Sequence, residues 1–457
     1  MMNTDVLVIG GSDAGISAAL RAREVDLAAK VTVVVADRYP NYSICGLPYF
    51  VSGEVGDWHN LAHRTAEDIA ERGIDLLLAH TAQAVDATAR RVSVIDRAGE
   101  THWIAYDKLV IAIGAEPALP NIAGLNRDGV YPLRTMEDGL SIHRHLLDRN
   151  PQSAVVIGAG YIGMEMAEAL THRGLDVTVV EYLPQVMPTL DPSLGWLVEA
   201  ELARQGVRVM TGTAVTAIER LGQQLVVRGD DGFRTSTDLV VTATGVRPST
   251  ALAESAGVDK GVRGALCVTR AMETNVADVY AAGDCVETWH RLLDRATYLP
   301  LGTTAHKQGR VAGENAVGGR AEYAGSLGTQ AVKVFDLVAA RTGLRDDEAS
   351  KELALDSLTV ELETWDHKVY YPGAHALHIR ITGDRETERL LGAQIVGHRH
   401  AEVAKRIDIF AAALFHEMTI DALNGIDLSY TPPLSSPWDP VQMSAQAWMR
   451  ARWERSA

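Results

Sequence analysis

Cysteine is scarce: the 457 residues hold three, at positions 45, 267 and 285. Three cannot build a disulfide framework, and their spacing matches no zinc site, so no metal is expected and a reducing cytoplasm is the expected location. Basic charge is also in deficit, with 43 Lys and Arg against 59 Asp and Glu and a formal net charge of -16. That balance argues against nucleic acid or an anionic membrane as partner, while leaving room for a local basic pocket. No apolar run approaches the roughly 20 residues that span a bilayer. Met1–Thr4 leads straight into the apolar segment Val6–Ile9, without the pattern of a secretory leader. No low-complexity linker interrupts the chain. What is present is ordinary globular composition, 47% hydrophobic and 22% charged, enough for roughly two or three domains.

Two segments about 150 residues apart share one grammar of apolar strand, glycine turn, helix, second strand and acidic residue. The first runs from Asp5 through Gly10, Gly11, Ser12, Ala14 and Gly15 into a helix expected over Ile16–Ala29, then a strand Val31–Val35 and, later, Asp37. Ser12 replaces the middle glycine. The second is complete: Gly158-Ala159-Gly160-Tyr161-Ile162-Gly163, a helix to about Arg173, the strand Asp176–Val180 and Glu181. Its glycines permit the tight turn, the approach of a pyrophosphate and close helix–strand packing, while Glu181 can accept hydrogen bonds from a ribose 2′-hydroxyl. Tyr182, Leu183 and Pro184 follow it rather than an Arg, so NADH is expected in preference to NADPH.

A strand over Tyr106–Gly114 with a Pro-rich turn, and its mirror over Asp238–Gly245, read as crossings between two nucleotide units. Tyr280-Ala281-Ala282-Gly283-Asp284 ends a strand with a carboxylate suited to a ribityl hydroxyl, and a helix is expected to reach Ala316. From about Tyr323 strands dominate, closed by helices over Ala404–His416 and Val441–Arg450.

Cys45 stands in Asn41-Tyr42-Ser43-Ile44-Cys45-Gly46-Leu47-Pro48-Tyr49, and Phe50 occupies the place where a two-cysteine disulfide reductase keeps its second thiol. A lone cysteine there can cycle only through a mixed disulfide with an outside thiol or through a sulfenic acid. Gly46 lets the backbone approach a flat ring and Pro48 fixes the following turn. Cys45 is expected to open a helix, whose N-terminus favours the thiolate. The plainer alternative is a buried apolar cysteine. Cys267, in the strand-like stretch 265–269, and Cys285, beside Asp284, read that way.

With Cys45–Tyr49, Ala243–Pro248, Ala281–Cys285, Leu299–Ala305, Tyr430–Pro433 and Pro437–Pro440 in order, the whole chain resembles the FAD-dependent pyridine nucleotide-disulfide oxidoreductases. Within them it resembles the single-cysteine branch of coenzyme A disulfide reductases, NAD(P)H persulfide reductases and NADH oxidases. The resemblance implies an α/β fold of two Rossmann-like domains: residues 1–115 and 250–322 for FAD, and 116–249 for NAD(H). An α+β dimerisation domain would span 323–457. FAD contacts are implied for the first glycine loop, for Asp37 and Arg38, for Ala112 and Gly114, for Asp284, and for Leu301, Gly302, Thr303, Thr304 and Ala305. For NAD(H) they are the second glycine loop, Glu181 and Gly245, with Tyr161 shielding the flavin and Glu165 near the nicotinamide.

The resemblance also implies a homodimer with a shared active site, in which a partner tyrosine reaches Cys45: Tyr430, and one of Tyr370 and Tyr371. The family's usual acid after the second strand, Ser before the cysteine and Asn after Ala305 are here Val35, Asn41 and His306. Related peroxidases carry a His aligned with Asp13, which counts against peroxide chemistry. No sulfurtransferase-like domain is expected after the last helix. The expected activity is reduction of a small disulfide or persulfide by NADH through FAD and Cys45. An NADH oxidase or peroxidase working through a sulfenic acid, and a slow flavin redox sensor, are the alternatives.

Overall fold

The computed structural model describes residues 2–456. The first glycine pattern becomes the strand Met2–Ile9, the helix Asp13–Val25 and the strand Val31–Val35, paired in parallel. All five residues of Val31–Val35 are buried, as a parallel strand covered on both faces requires. The helix starts earlier than expected, capped by Ser12, and stops at Val25 rather than Ala29. Asp26 ends it: its carboxylate accepts from Ala28 N at 2.8 Å, a local turn that competes with further helix.

The strand Thr101–Ile111 joins two kinds of pairing. Its first half is antiparallel to Arg91–Ile95, while its last residues run parallel to Met2–Ile9 on one side and Val279–Ala281 on the other. Thus the first sheet is completed by a strand that arrives only after a second unit has been built. That unit is a parallel sheet in the order 208–210, 176–180, 153–157, 239–242 and 130–132. Two short antiparallel strands, Ala115–Pro117 and Val246–Pro248, make the crossing in both directions.

The helix Gly302–Ala316 lies directly on Asp13–Val25. A Cβ on Gly309 would sit 2.2 Å from Ala14 O, and one on Gly313 2.0 Å from Ala18 O, so glycine is what allows the two helix backbones to touch. Their N-termini are thereby held side by side.

The C-terminal sheet is antiparallel, in the order 330–334, 337–343, 390–398, 376–384 and 357–365. It packs on Val403–Phe415 and Pro440–Ser456 through a core that includes Phe410 and Trp448. The strand Leu337–Gly343 and the helix Asp346–Leu353 were not anticipated. The strand reads Leu-Val-Ala-Ala-Arg-Thr-Gly, without strand-like alternation, because Arg341 is buried in it and paired with Glu348 at 2.8 Å. The expected strand around Cys267 is instead an irregular segment in which Leu266 makes isolated bridges. Among the described residues no helix is long and apolar enough to cross a membrane.

Candidate active site

Three helix N-termini carry the anion-binding geometry. The helices beginning at Asp13, Tyr161 and Gly302 have Ser12, Gly160 and Leu301 as N-caps, none with a side-chain cap hydrogen bond. Their first-turn N–H groups therefore face outward without a protein side chain to satisfy them, as a bound pyrophosphate requires. The glycines around them divide into two kinds. A Cβ on Gly10 would lie 2.1 Å from Ala112 O, on Gly15 1.9 Å from Gly10 O, on Gly158 2.5 Å from Ala243 O and on Gly163 2.0 Å from Gly158 O. A Cβ on Gly160 would meet nothing within 4 Å. The former are required by packing; Gly160 keeps space open at a helix N-terminus. Gly11 lies against Val35, and Ala14 is buried under Gly283.

These residues fit FAD at the first unit and NAD(H) at the second. Asp37 and Arg38 are exposed beyond the second strand, where the Asp37 carboxylate accepts from Tyr39 N at 2.8 Å. Gly114 and Gly245 flank the crossing strands, joined through Ser249 N to Gly114 O and Ala118 N to Gly245 O. Gly302 lies beside Asp13, Thr303 is exposed, and Thr304 and Ala305 are buried. Ile162 is half-buried in the second unit's helix. Glu181 is only 5% exposed. Its two oxygens accept from Ala159 N at 2.6 Å and Leu183 N at 2.9 Å, which pins the carboxylate against the glycine loop.

Cys45 sits in a single 3-10 turn, Ile44–Gly46, immediately before the short helix Leu47–Ser52. It is the exposed cysteine; Cys267 is half-buried and Cys285 fully buried, its thiol pushed up to about 12 by burial. The loop is fastened to both nucleotide units. Asn41 N donates to Gly11 O at 2.7 Å, and Tyr49 Oη donates to Glu165 at 3.4 Å. Phe50 is buried in the core between them. The expectation of a stabilised thiolate is not met by the protein alone. Although the residue reaches solvent, the protein mass around it raises the Cys45 thiol above its ordinary value, and Glu165 and Asp13 add to the rise. Burial carries most of that rise, the carboxylates the rest.

Two side chains that pattern reading did not single out, Arg134 and Lys333, join the groups that it did. Arg134 pairs with Asp284 at 3.0 Å and donates to Ala115 O at 3.0 Å, tying the Asp284 carboxylate to the crossing. Burial still holds the Asp284 carboxyl above its ordinary range. Glu165 is pushed up to about 7, chiefly by burial. Lys333, from the C-terminal sheet, bonds Glu168 and lies 5.6 Å over the Tyr49 ring. Tyr161 Oη is hydrogen-bonded to Thr189 at 3.3 Å, which steadies the ring. His306 bridges Ser17 at 2.9 Å and Asp13 at 3.3 Å. Arg134 had no motif around it, and Lys333 comes from another domain.

Tyr430, Tyr370 and Tyr371 are all exposed on the C-terminal domain. The phenols of Tyr430 and Tyr370 are close neighbours, Tyr370 adding to the rise that burial gives the Tyr430 hydroxyl, whereas the Tyr371 ring lies 5.9 Å edge-on to His367. Tyr370 is therefore the member of the adjacent pair that lies beside Tyr430.

Comparison with known proteins accounts for this arrangement. Residues 4–309 match the family model of pyridine nucleotide-disulphide oxidoreductases, and residues 329–440 match that family's dimerisation domain. The chain is 36% identical over 449 residues to an NAD(P)H sulfur oxidoreductase (CoA-dependent) of Pyrococcus furiosus, covering 98% of this chain and 99% of that protein. It is 34% identical over 443 residues to an NADH oxidase of Methanocaldococcus jannaschii, covering 96% and 97%. The solved structure of an NAD-dependent persulfide reductase from A. fulgidus superposes with a TM-score of 0.94 at 40% identity, covering 99% of this chain and 84% of that one. The chain belongs to the pyridine nucleotide-disulphide oxidoreductase family, flavin-dependent NAD(P)H oxidoreductases that carry a C-terminal dimerisation domain.

Proposed function

We propose that this protein is an NADH-dependent reductase of a low-molecular-weight disulfide or persulfide, such as coenzyme A disulfide or coenzyme A persulfide, with Cys45 as its single redox thiol. The observation that carries the reading is the one exposed cysteine, on a turn fastened to the glycine loop of one nucleotide unit and to Glu165 of the other. The similarity to proteins named for sulfur and persulfide reduction supports the substrate class. Residues 1–115 and 250–322 hold FAD in this reading, residues 116–249 hold NADH, and residues 323–457 form the homodimer in the cytoplasm.

FAD, when bound, supplies the relay of an electron pair from nicotinamide to sulfur. The Gly10–Gly15 loop and the helix end at Gly302 would hold its phosphates, and Asp284 would accept from its ribityl chain. Glu181 would orient the NADH ribose and disfavour a 2′-phosphate, and Tyr161 would cover the flavin ring. Cys45 as thiolate attacks one sulfur of the substrate disulfide, the S–S bond breaks, and the departing thiolate takes a proton. The mixed disulfide left on Cys45 accepts two electrons, releasing the second thiolate and restoring Cys45. The Tyr370–Tyr430 phenols of the partner subunit stand ready to donate a proton to a departing thiolate. An NADH oxidase cycle through a Cys45 sulfenic acid is the competing reading, favoured by the similarity to the M. jannaschii protein.

The test is anaerobic reoxidation of the NADH-reduced protein by coenzyme A disulfide, a persulfide, oxygen or peroxide, in the parent and in Cys45→Ser, Cys267→Ser and Cys285→Ser. Cys45→Ser is expected to accept electrons from NADH at the parental rate and to lose sulfur reduction, with the other two near parental. Sulfur reduction retained in Cys45→Ser would overturn the mechanism.

A further inference from the structure

Two loops carry the phenols, residues 366–375 and 430–439, and one buried side chain holds both. Arg406, on the helix Val403–Phe415, is 5% exposed. Its Nη2 donates to Asp366 O at 2.8 Å in the Tyr370 loop, and to Leu434 O at 3.5 Å and Asp439 Oδ2 at 3.2 Å in the Tyr430 loop. Its Nε also reaches Asp439 Oδ2 at 3.3 Å, and Nη1 donates to Ala401 O at 2.5 Å. Each anchor is itself fixed. Asp366 Oδ1 accepts from His367 N at 2.8 Å and His375 N at 2.9 Å, closing the base of the first loop. Asp439 accepts from Ser435 Oγ at 2.7 Å and Val441 N at 2.9 Å. Lys368 N to Pro432 O, at 3.3 Å, ties the loops directly.

We propose that Arg406 is a positioning residue for the thiol half-reaction, setting the Tyr370 and Tyr430 phenols in register with one another. This rests on the reading of those phenols as partners of Cys45. A guanidinium is the side chain that does this. Its planar fork addresses three carbonyls and a carboxylate at fixed angles, which an ammonium on a flexible stem does not. The exposed phenols have few contacts of their own to set their geometry, so the precision is built at the buried base of their loops.

The experiment uses flavin-loaded dimer with the two half-reactions measured separately. Arg406→Lys is expected to leave reduction by NADH unchanged and to slow reoxidation by coenzyme A disulfide about tenfold or more. In a Tyr370→Phe/Tyr430→Phe background the same substitution is expected to slow it no further, because the groups it positions are already gone. Hydrogen exchange is expected to quicken in both loops together. If the tyrosine variants slow reoxidation and Arg406→Lys does not, or if it slows reoxidation equally with and without the phenols, the positioning role is wrong and the tyrosine role stands. If the tyrosine variants change nothing, both fall. Should Arg406→Lys lose its flavin, Ser435→Ala, which removes one donor to Asp439, is expected to show the same dependence on the phenols with a smaller loss; slowing that ignores the phenols overturns the proposal.

Discussion

Glu165 is a carboxyl whose own surroundings favour its neutral form up to a pH of about 7. Burial pushes it up to about 7, Glu168 opposes its ionisation, and only Tyr49 and Lys333 favour the charge. A carboxyl raised in the folded state binds more protons there than in the unfolded chain, so stability falls as pH rises from its ordinary value towards about 7. The cost is complete above that. Glu165→Gln is therefore expected to stabilise the protein by about 2 kcal/mol near pH 8 and to do little near pH 5. Urea unfolding of both proteins at the two pH values measures this, and an equal difference at both contradicts it.

Glu181 makes the opposite use of its environment. Two backbone N–H donors hold its carboxylate at the second unit's glycine loop. In the proposed NADH site a 2′-phosphate beside it meets a like charge, a penalty of about 1 to 3 kcal/mol. Steady-state kinetics are expected to favour NADH over NADPH by about tenfold or more; equal use of both refutes this.

At the scale of elements, the two glycines of one loop should behave differently. Gly163→Ala drives a methyl into Gly158 O, so it is expected to lower the melting temperature, by about 1 to 3 kcal/mol of stability. Gly160→Ala has room in the folded chain and is expected to leave melting unchanged while raising KM for NADH. Calorimetry with NADH titration separates the two, and a destabilised Gly160→Ala with normal NADH affinity contradicts the assignment.

Both nucleotide units were legible because each is a local pattern. Strand, glycine turn and helix lie within about 30 residues; Asp176–Val180 falls where the sequence placed it, and the helix ending at Ala316 ends as expected but already starts at Gly302, inside the glycine-rich stretch. What was not legible is what depends on burial or on distant partners. Leu337–Gly343 hides a buried Arg, and Arg134 finds Asp284 only after the crossing strands form. The unusual Asn41 acquires a reason in the fold: its φ is 56° and it is 1% exposed, with its N–H on Gly11 O. Asn tolerates that left-handed conformation better than most residues.

The whole molecule leaves an aromatic and apolar surface uncovered on its C-terminal domain. Tyr370 is 73% and Leu434 72% exposed, and Trp365, Tyr371, Tyr430 and Trp438 are exposed with them. Trp365 ends a strand and the others lie in the two phenol-bearing loops, all within the segment that matches the dimerisation domain, residues 329–440. Exposed apolar side chains of this kind suit burial in a two-fold dimer, and they include the phenols assigned to the partner's thiol. The division of labour can be tested by making dimers from two different inactive subunits, one Cys45→Ser and the other Tyr370→Phe/Tyr430→Phe, each with its own affinity tag. If every site takes its thiol from one subunit and its phenols from the other, the mixed dimer holds one site with both defects and one site with none. Purified mixed dimers are then expected to reduce coenzyme A disulfide at about half the parental rate. Mixed dimers no more active than the average of the two inactive parents would contradict a site shared between subunits around Cys45.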